Sequence, residues 1–201
     1  MASWFGKVGF ALPGEAWPIS NGRPMHALCQ LNLTELPFRP PRLEDLEFIT
    51  VFIGPNEIPT DVPNGTNWCL RGYHKVDQLV PLASCDSGTP IKPFPMRPKI
   101  AEDDFPCWED VPCAVPDEVE ARYYDLFQNV GGFKLGGWPT LIQSEIYWAP
   151  WQKHPISPEY VFQIDSTEKG NWIWGDYGVA YFGRGTVAGR QSEWAFEWQC
   201  F

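Results

Sequence analysis

The sequence lacks several features that would assign it to a common functional class. Its six cysteines include no CxxC pair, so a zinc site is not expected. No stretch approaches the roughly 20 apolar residues that a membrane-spanning helix needs, and the first residues contain no long apolar segment of the kind found in secretory signals. We therefore expect a cytoplasmic protein with reduced thiols, no metal and no association with a membrane.

Positive charge and histidine are also scarce. The chain has 15 Lys and Arg against 25 Asp and Glu, which gives a net charge of −10. Proteins grip nucleic acid through lysine and arginine, so no nucleic-acid partner is expected. The three histidines are not in a HExxH pattern, and the GxGxxxG motif at residues 183–189 lacks the spacing of a dinucleotide site. We expect no cofactor.

Aromatic residues and proline are abundant, with 11 Trp and 21 Pro. This combination favours short strands and irregular loops over long helices. The clearest alternating pattern closes the chain, where Trp194, Phe196 and Trp198 alternate with smaller or polar residues. The predicted fold class is α+β, mostly β, with antiparallel strands.

One segment, residues 117–130, has a convincing helical pattern. Acids fill its first turn, and Val119, Tyr123, Leu126 or Phe127, and Val130 repeat at helical spacing. The two glycines that follow are a typical helix end. The sequence therefore predicts one clear helix over residues 117–130.

An internal similarity predicts two related halves. Residues 28–35 align with residues 161–168, so that Gln30 falls on Gln163 and Asn32 on Asp165. Trp-Pro pairs, apolar pairs followed by glycine, and Trp-led strands occur in the same order around both copies. We expect a single domain over residues 1–201 with β-rich halves at about 1–80 and 121–201. A proline-rich, acidic segment joins them.

Nearly the whole chain resembles the bacterial YwqG-like family, a domain-of-unknown-function family. The motifs are Trp17-Pro18, Ala27-Leu28-Cys29-Gln30-Leu31-Asn32-Leu33, Leu135-Gly136-Gly137-Trp138-Pro139 with Gln143, Phe162-Gln163-Ile164-Asp165-Ser166 and Trp174-Gly175-Asp176-Tyr177-Gly178. The chain departs from the family at residues 5–10, where a Gly-Gly-x-Pro loop is usual. The resemblance implies an α+β, mostly β fold, a cytoplasmic protein and no established activity. Some members look like components of toxin–immunity neighbourhoods.

Five residues are candidates for ligand binding: Gln30, Gln163, Asp165, Trp174 and Asp176. Amides on equivalent strands would line a polar cleft between the halves, with Asp176 presented at its mouth. The structural alternative is that the glutamines satisfy backbone groups of nearby loops, because buried amides need hydrogen-bond partners. In that alternative, Asp176 caps its turn while Trp174 packs into the core.

The acidic segment is a candidate for binding a partner. Its residues are Glu102, Asp103, Asp104, Phe105, Trp108, Glu109 and Asp110. Acids would speed association with a basic protein and the aromatics would anchor it. The alternative is a solvated connector whose aromatic side chains fold back onto the core.

Two functions remain open at this point. The favoured hypothesis is a non-enzymatic, monomeric binding module for another protein, such as a basic toxin that it neutralises. The alternative is a small-molecule-binding protein or enzyme with a cleft between its halves, supplied with polar contacts by Gln30, Gln163, Asp165 and Asp176. No catalytic residue is predicted.

Overall fold

Strands form where aromatic and β-branched residues cluster, and glycine and proline occupy the loops between them. The structure is a computed structural model that describes residues 1–148 and 154–201. In these ranges the strands are β1 (Trp4–Phe5), β2 (Phe10–Ala11), β3 (Ile19–Ser20), β4 (Arg23–Pro24), β5 (His26–Asn32), β6 (Phe48–Ile53), β7 (Trp68–Tyr73), β8 (Val80–Pro81), β9 (Phe94–Pro95), β10 (Lys134–Leu135), β11 (Pro158–Asp165), β12 (Val179–Gly185) and β13 (Trp194–Gln199). The predicted α+β, mostly β class is confirmed.

The longer strands form two antiparallel sheets. The first sheet has the order β7-β6-β5-β1-β9, and the second has the order β10-β11-β12-β13. Two small ribbons, β2 with β8 and β3 with β4, lie outside them. Strand β9 comes from the proline-rich segment and pairs with β1. This segment therefore contributes to the first sheet as well as connecting the sheets.

The two sheets repeat one pattern of strand pairing. Gln30 on β5 lies opposite Trp4, and Gln163 on β11 lies opposite Lys134. The residue after each of the short strands β1 and β10 is a glycine with positive φ, +68° at Gly6 and +70° at Gly136. A Cβ atom at either glycine would lie 2.9 Å from a proline carbon, so both positions require glycine. The proposed duplication itself stays a prediction.

Aromatic side chains join the sheets into a shared core. Phe162 and Phe182 of the second sheet stack with ring centroids 4.5 Å apart. Trp68 of the first sheet packs against Phe182 and Phe196, at 6.2 and 5.3 Å between centroids. Each fully buried aromatic side chain contributes about 1.5–3 kcal/mol, so separating the sheets would expose a large part of the stabilising surface.

The helical segment differs from its prediction in length. It forms two single-turn helices, α1 (Asp117–Glu120) and α2 (Tyr123–Leu126), because Arg122 between them has φ −127° and ψ 17°. No side chain caps either helix, so neither short turn is stabilised by a capping hydrogen bond. The apolar spacing still acts as predicted, since Tyr123 is buried and packs on Phe127. Within the described residues, no helix is long and apolar enough to cross a membrane.

A buried arginine links the second sheet to a loop that precedes β6. Arg184 on β12 forms a two-pronged ion pair with Asp45, at 2.5 and 2.8 Å, and also donates to the carbonyl of Arg42 at 2.6 Å. The Arg184 side chain is 8% exposed, whereas that of Asp45 is 48% exposed. Hydrogen bonding from Arg184 lowers the pKa of Asp45, which indicates that the pair favours the ionised carboxylate.

The arginine fork predicts that Arg184→Lys destabilises the fold. Lysine keeps the charge but cannot form the two parallel bonds, so we expect the free energy of unfolding to fall by about 1–2 kcal/mol. Urea unfolding measures this change. Arg190→Lys is the control, because Arg190 pairs with Glu193 at the surface and should lose less than about 0.5 kcal/mol. Equal losses in the two variants would contradict the structural role of Arg184.

Candidate functional site

A cleft of about 550 Å³ lies where the two sheets meet. We call it the inter-sheet cleft. Its walls include Phe5 and Leu31 from the first sheet and Leu135 and Ile164 from the second. Residues 94–98 and Lys169 also line it. Its volume lies within the range of about 300–1,000 Å³ that is typical of small-molecule sites.

The two sheets contribute to the cleft from matching positions. Gln30 and Gln163 occupy the same register relative to the short strands β1 and β10, and Asn32 and Asp165 each follow two residues later. Successive side chains of a strand alternate between its faces. Asn32 and Asp165 therefore reach corresponding places, and both line the cleft.

Gln30 braces the N-terminal loops and does not line the cleft. Its Oε1 accepts a hydrogen bond from the backbone N–H of Gly9 at 2.8 Å, and its Nε2 donates to the carbonyl of Ala2 at 2.6 Å. The residue is 2% exposed. Its contacts match the loop-bracing interpretation, and a ligand-binding role stays a prediction.

Gln163 braces a loop next to the second sheet in the same way. Its Oε1 accepts from the backbone N–H of Thr140 at 2.8 Å. Its Nε2 lies 2.9 Å from Asp165 Oδ1 and 3.0 Å from Thr140 Oγ1. Gln163 is fully buried and lies outside the cleft lining. It stabilises the loop after β10 and, through Asp165, the edge of the cleft.

Asp165 is both a brace and a lining residue. Its Oδ2 accepts from the backbone N–H of Gly132 at 2.6 Å. Burial raises the pKa of its carboxyl, although the hydrogen bonds from Gly132 and Gln163 and the charge of Lys134 oppose that rise. A carboxylate has about four lone-pair sites, so it retains capacity to accept a hydrogen bond from a ligand.

Asn32 is the counterpart of Asp165 on the first sheet. Its Oδ1 accepts from the backbone N–H and the hydroxyl of Thr34, at 3.1 and 2.7 Å, and so caps the 3₁₀ turn Leu33–Glu35. Its Nδ2 donates to the carbonyl of Met1 at 2.6 Å. Because an amide nitrogen carries two hydrogens, Asn32 has one left to donate within the cleft.

Trp174 and Asp176 lie away from the inter-sheet cleft. Trp174 is fully buried and packs against Trp172 and Phe196, with centroids 5.1 and 5.8 Å apart. Asp176 lies exposed on the adjoining turn, where its carbonyl accepts from the N–H of Phe201 at 3.2 Å. The geometry matches a turn packed onto the core, and ligand binding by either residue stays a prediction.

Part of the acidic segment points inward. Asp104 forms an ion pair with Lys134 at 3.1 Å, and both side chains are at most 10% exposed. It also accepts from the backbone N–H groups of Val130 and Trp138, at 2.7 and 2.8 Å. Asp104 is therefore a structural brace for the loops on both sides of β10, and its charge is already neutralised.

The predicted aromatic anchors also fold back. Phe105 packs against Phe127 at 5.0 Å, and Trp108 packs against Tyr123 at 5.4 Å. The acids Glu102, Asp103 and Glu109 are exposed, whereas Asp110 is half-buried and burial raises its pKa. Three of the predicted partner-binding carboxylates therefore remain freely accessible on the surface.

Two cationic residues of the cleft, Arg97 and Lys169, were not predicted from the sequence. Both are exposed and both line the cleft. The Nζ atom of Lys169 lies 4.3 Å from the centroid of the Phe94 ring. Residues 94–97 lie in a proline-rich stretch with no alternating pattern, so only the pairing of β9 with β1 reveals their place.

Potential metal ligands do not gather in the described ranges, 1–148 and 154–201. Within them, no group of three or more His, Cys, Asp or Glu is arranged to hold a metal ion. The six cysteines are unbridged, and burial raises the pKa of Cys29 and Cys69. The chemistry that the cleft itself offers is apolar contact, hydrogen bonding and positive charge at its rim.

A family profile matches nearly the whole chain. The profile of a family described as "Domain of unknown function (DUF1963)" matches residues 3–200. A search of curated proteins found no similar sequence.

The contacts of Gln163 predict that Gln163→Leu destabilises the protein. Leucine has a similar volume, but it leaves the N–H of Thr140 and the Oδ1 of Asp165 without their partner. Unpaired buried groups cost about 1–3 kcal/mol each, so we expect a total loss of about 2–4 kcal/mol in the free energy of unfolding. Denaturant titration gives the value. Gln128→Leu, at an exposed position, is the matched control, and a similar loss there would refute the bracing role.

Proposed function

The chain belongs to the family described as a domain of unknown function (DUF1963), and we propose that it is a binding module for a small molecule with an apolar body. The single observation that carries this proposal is the inter-sheet cleft of about 550 Å³. A concave, mostly apolar cleft of this volume is typical of sites that bind small molecules.

The walls of the cleft define the body of the ligand. Phe5 and Leu31 line it from the first sheet and Ile164 from the second, and Leu33 and Phe133 line it from positions next to β5 and β10. Removing apolar surface from water contributes about 25 cal/mol per Å². An aromatic or aliphatic group between these walls thus gains binding free energy without a specific polar contact.

The polar residues define how the ligand is oriented. Asp165 accepts hydrogen bonds and Asn32 has an unused donor hydrogen, at the matching ends of β11 and β5. A few placed polar groups among apolar walls are typical of small-molecule sites. We therefore propose a ligand that carries an N–H or O–H group beside its apolar body.

Binding can be tested with the neutral fluorescent dye N-phenyl-1-naphthylamine, which has an aromatic body and one N–H group. We expect saturable fluorescence enhancement with one site per chain. Met96→Trp places a larger side chain in the cleft lining and should weaken binding about tenfold or more, because the wall then occupies the ligand's space.

The matched control is Phe38→Trp, at a residue that is 59% exposed and outside the cleft lining. Its affinity for the dye should equal that of the unmodified protein. Thermal unfolding of both variants checks that they are folded. Dye binding that is absent, or that Met96→Trp leaves unchanged, would overturn the proposal.

The finer family assignment is part of this proposal. We propose that the chain is a bacterial, cytoplasmic, YwqG-like protein whose halves at about 1–80 and 121–201 derive from a duplication within one domain. The matching registers of Gln30 and Gln163 support the duplication. A cleft between duplicated halves would receive both of its walls from the same ancestral strands.

A second candidate function is docking of a basic protein, such as a toxin, on the acidic segment. The specific observation is an exposed aromatic beside the exposed acids: Tyr124 is 62% exposed, and its hydroxyl accepts from the N–H of Trp108, next to Glu109. Acids set the association rate and a tyrosine suits an anchor. Tyr124 would then take the part predicted for Phe105 and Trp108.

Affinity capture from the native cytoplasm tests the docking candidate. The variant carries Glu102→Gln, Asp103→Asn and Glu109→Gln and keeps Asp104, because Asp104 braces the fold. We expect one basic protein retained at low salt, lost at high salt and lost with the variant, since surface charge pairs are screened by salt. A control with Glu44→Gln, Asp77→Asn and Glu168→Gln should retain it. If the captured protein is retained equally at high salt and by the charge-removing variant, this candidate is ruled out.

A further inference from the structure

We propose that the ligand of the inter-sheet cleft is an amphipathic anion, an aromatic or aliphatic molecule with a carboxylate or sulfonate group that Arg97 and Lys169 bind. This inference rests on the proposed small-molecule function and specifies the chemical class of the ligand. The observation behind it is the pairing of two accessible cations with one apolar cleft in a chain of net charge −10.

Arg97 is held beside the cleft by backbone pairing. Its neighbours Phe94 and Pro95 form β9 against β1, and the N–H of Met96 donates to the carbonyl of Ser3 at 3.0 Å. The guanidinium forms no ion pair with a described residue. A guanidinium presents several donors in a fixed plane, which suits a carboxylate or sulfonate.

Lys169 approaches the cleft from the other sheet. It lies in the turn between β11 and β12, and the neighbouring carbonyl of Gly170 accepts from the N–H of Lys92 at 2.8 Å. Its ammonium lies over Phe94 at 4.3 Å, and Phe94 stacks on Phe5 at 5.1 Å. The cation is thus held by an aromatic ring of the cleft instead of by a carboxylate of the protein.

The carboxylates Asp165 and Glu35 form no ion pair with the two cations. Asp165 lines the cleft, but its two oxygens accept from Gly132 and Gln163, and burial raises its pKa. Glu35 lies outside the cleft lining, and its Oε2 accepts from the hydroxyl of Ser3 at 3.5 Å. Neither carboxylate pairs with Arg97 or Lys169. An anionic ligand would supply the missing partner, while its apolar body occupies the walls.

A matched pair of dyes tests this inference. The anionic dye is 8-anilinonaphthalene-1-sulfonate, and the neutral dye N-phenyl-1-naphthylamine has the same aromatic body without the sulfonate. We expect the anionic dye to bind about three- to tenfold more tightly at low salt, because two partly exposed charge pairs together contribute roughly that factor. Raising the salt concentration should reduce the difference.

The charge-removing variant is Arg97→Gln with Lys169→Gln. It should weaken binding of the anionic dye about three- to tenfold and leave the neutral dye within about twofold. Lys92→Gln with Lys99→Gln removes two exposed charges outside the cleft lining and should affect neither dye. Met96→Trp should weaken both dyes, which assigns their binding to the cleft.

The outcomes separate the two proposals. Equal affinity for the two dyes, both weakened by Met96→Trp, would overturn the anionic ligand class and leave the small-molecule function standing. A preference for the anionic dye that the Arg97 and Lys169 variant does not change would also overturn the assignment to these residues. If neither dye binds, or Met96→Trp has no effect on either, both proposals fail.

Discussion

Buried side-chain amides satisfy the backbone of loops that have no strand partner, and the remaining structure depends on this bracing. Every buried N–H and C=O group needs a hydrogen-bond partner, and long loops cannot supply enough of their own. Gln30 supplies a partner for Gly9, and Gln163 supplies one for Thr140. Gln199 accepts from two successive N–H groups, those of Ile142 and Gln143, at 3.1 Å each. The sheets thereby hold the loops in one conformation.

The cleft is a consequence of the same bracing. Gly132 and Phe133 form part of its lining, and Asp165 and Gln163 hold Gly132 through its N–H and carbonyl groups. Deeper in the molecule, Trp68 and Phe182 pack the sheets together. Braced loops at the edge and dense packing within leave an apolar space that does not collapse. Cations at its rim remain hydrated, so they cost little free energy while the cleft is open to water.

The sequence located the strands and the polar residues on them, but it did not identify the hydrogen-bond partners of those residues. Gln30 and Gln163 were placed correctly on strands because alternation with apolar neighbours is a local signal. Their contacts with Gly9 and Thr140 depend on loops that pass over the sheets, and no local pattern reports this. Similarly, the charge of Asp104 is visible in the sequence, but its burial against Lys134 is not. The helix predicted over residues 117–130 is interrupted at Arg122, whose backbone leaves the helical conformation, and the local apolar spacing carries no signal of that break.

The sequence by itself determined the β-rich class, the alternating strands and the positions of Asn32 and Asp165, since strand formation follows from the local order of apolar and polar residues. Only the tertiary structure decided that these two residues meet at one cleft and that Arg97 and Lys169 join them. The reason is that the short strands β1, β9 and β10 are two residues long, too short for a periodic pattern. Their partners are set by packing between distant segments, which local order does not encode.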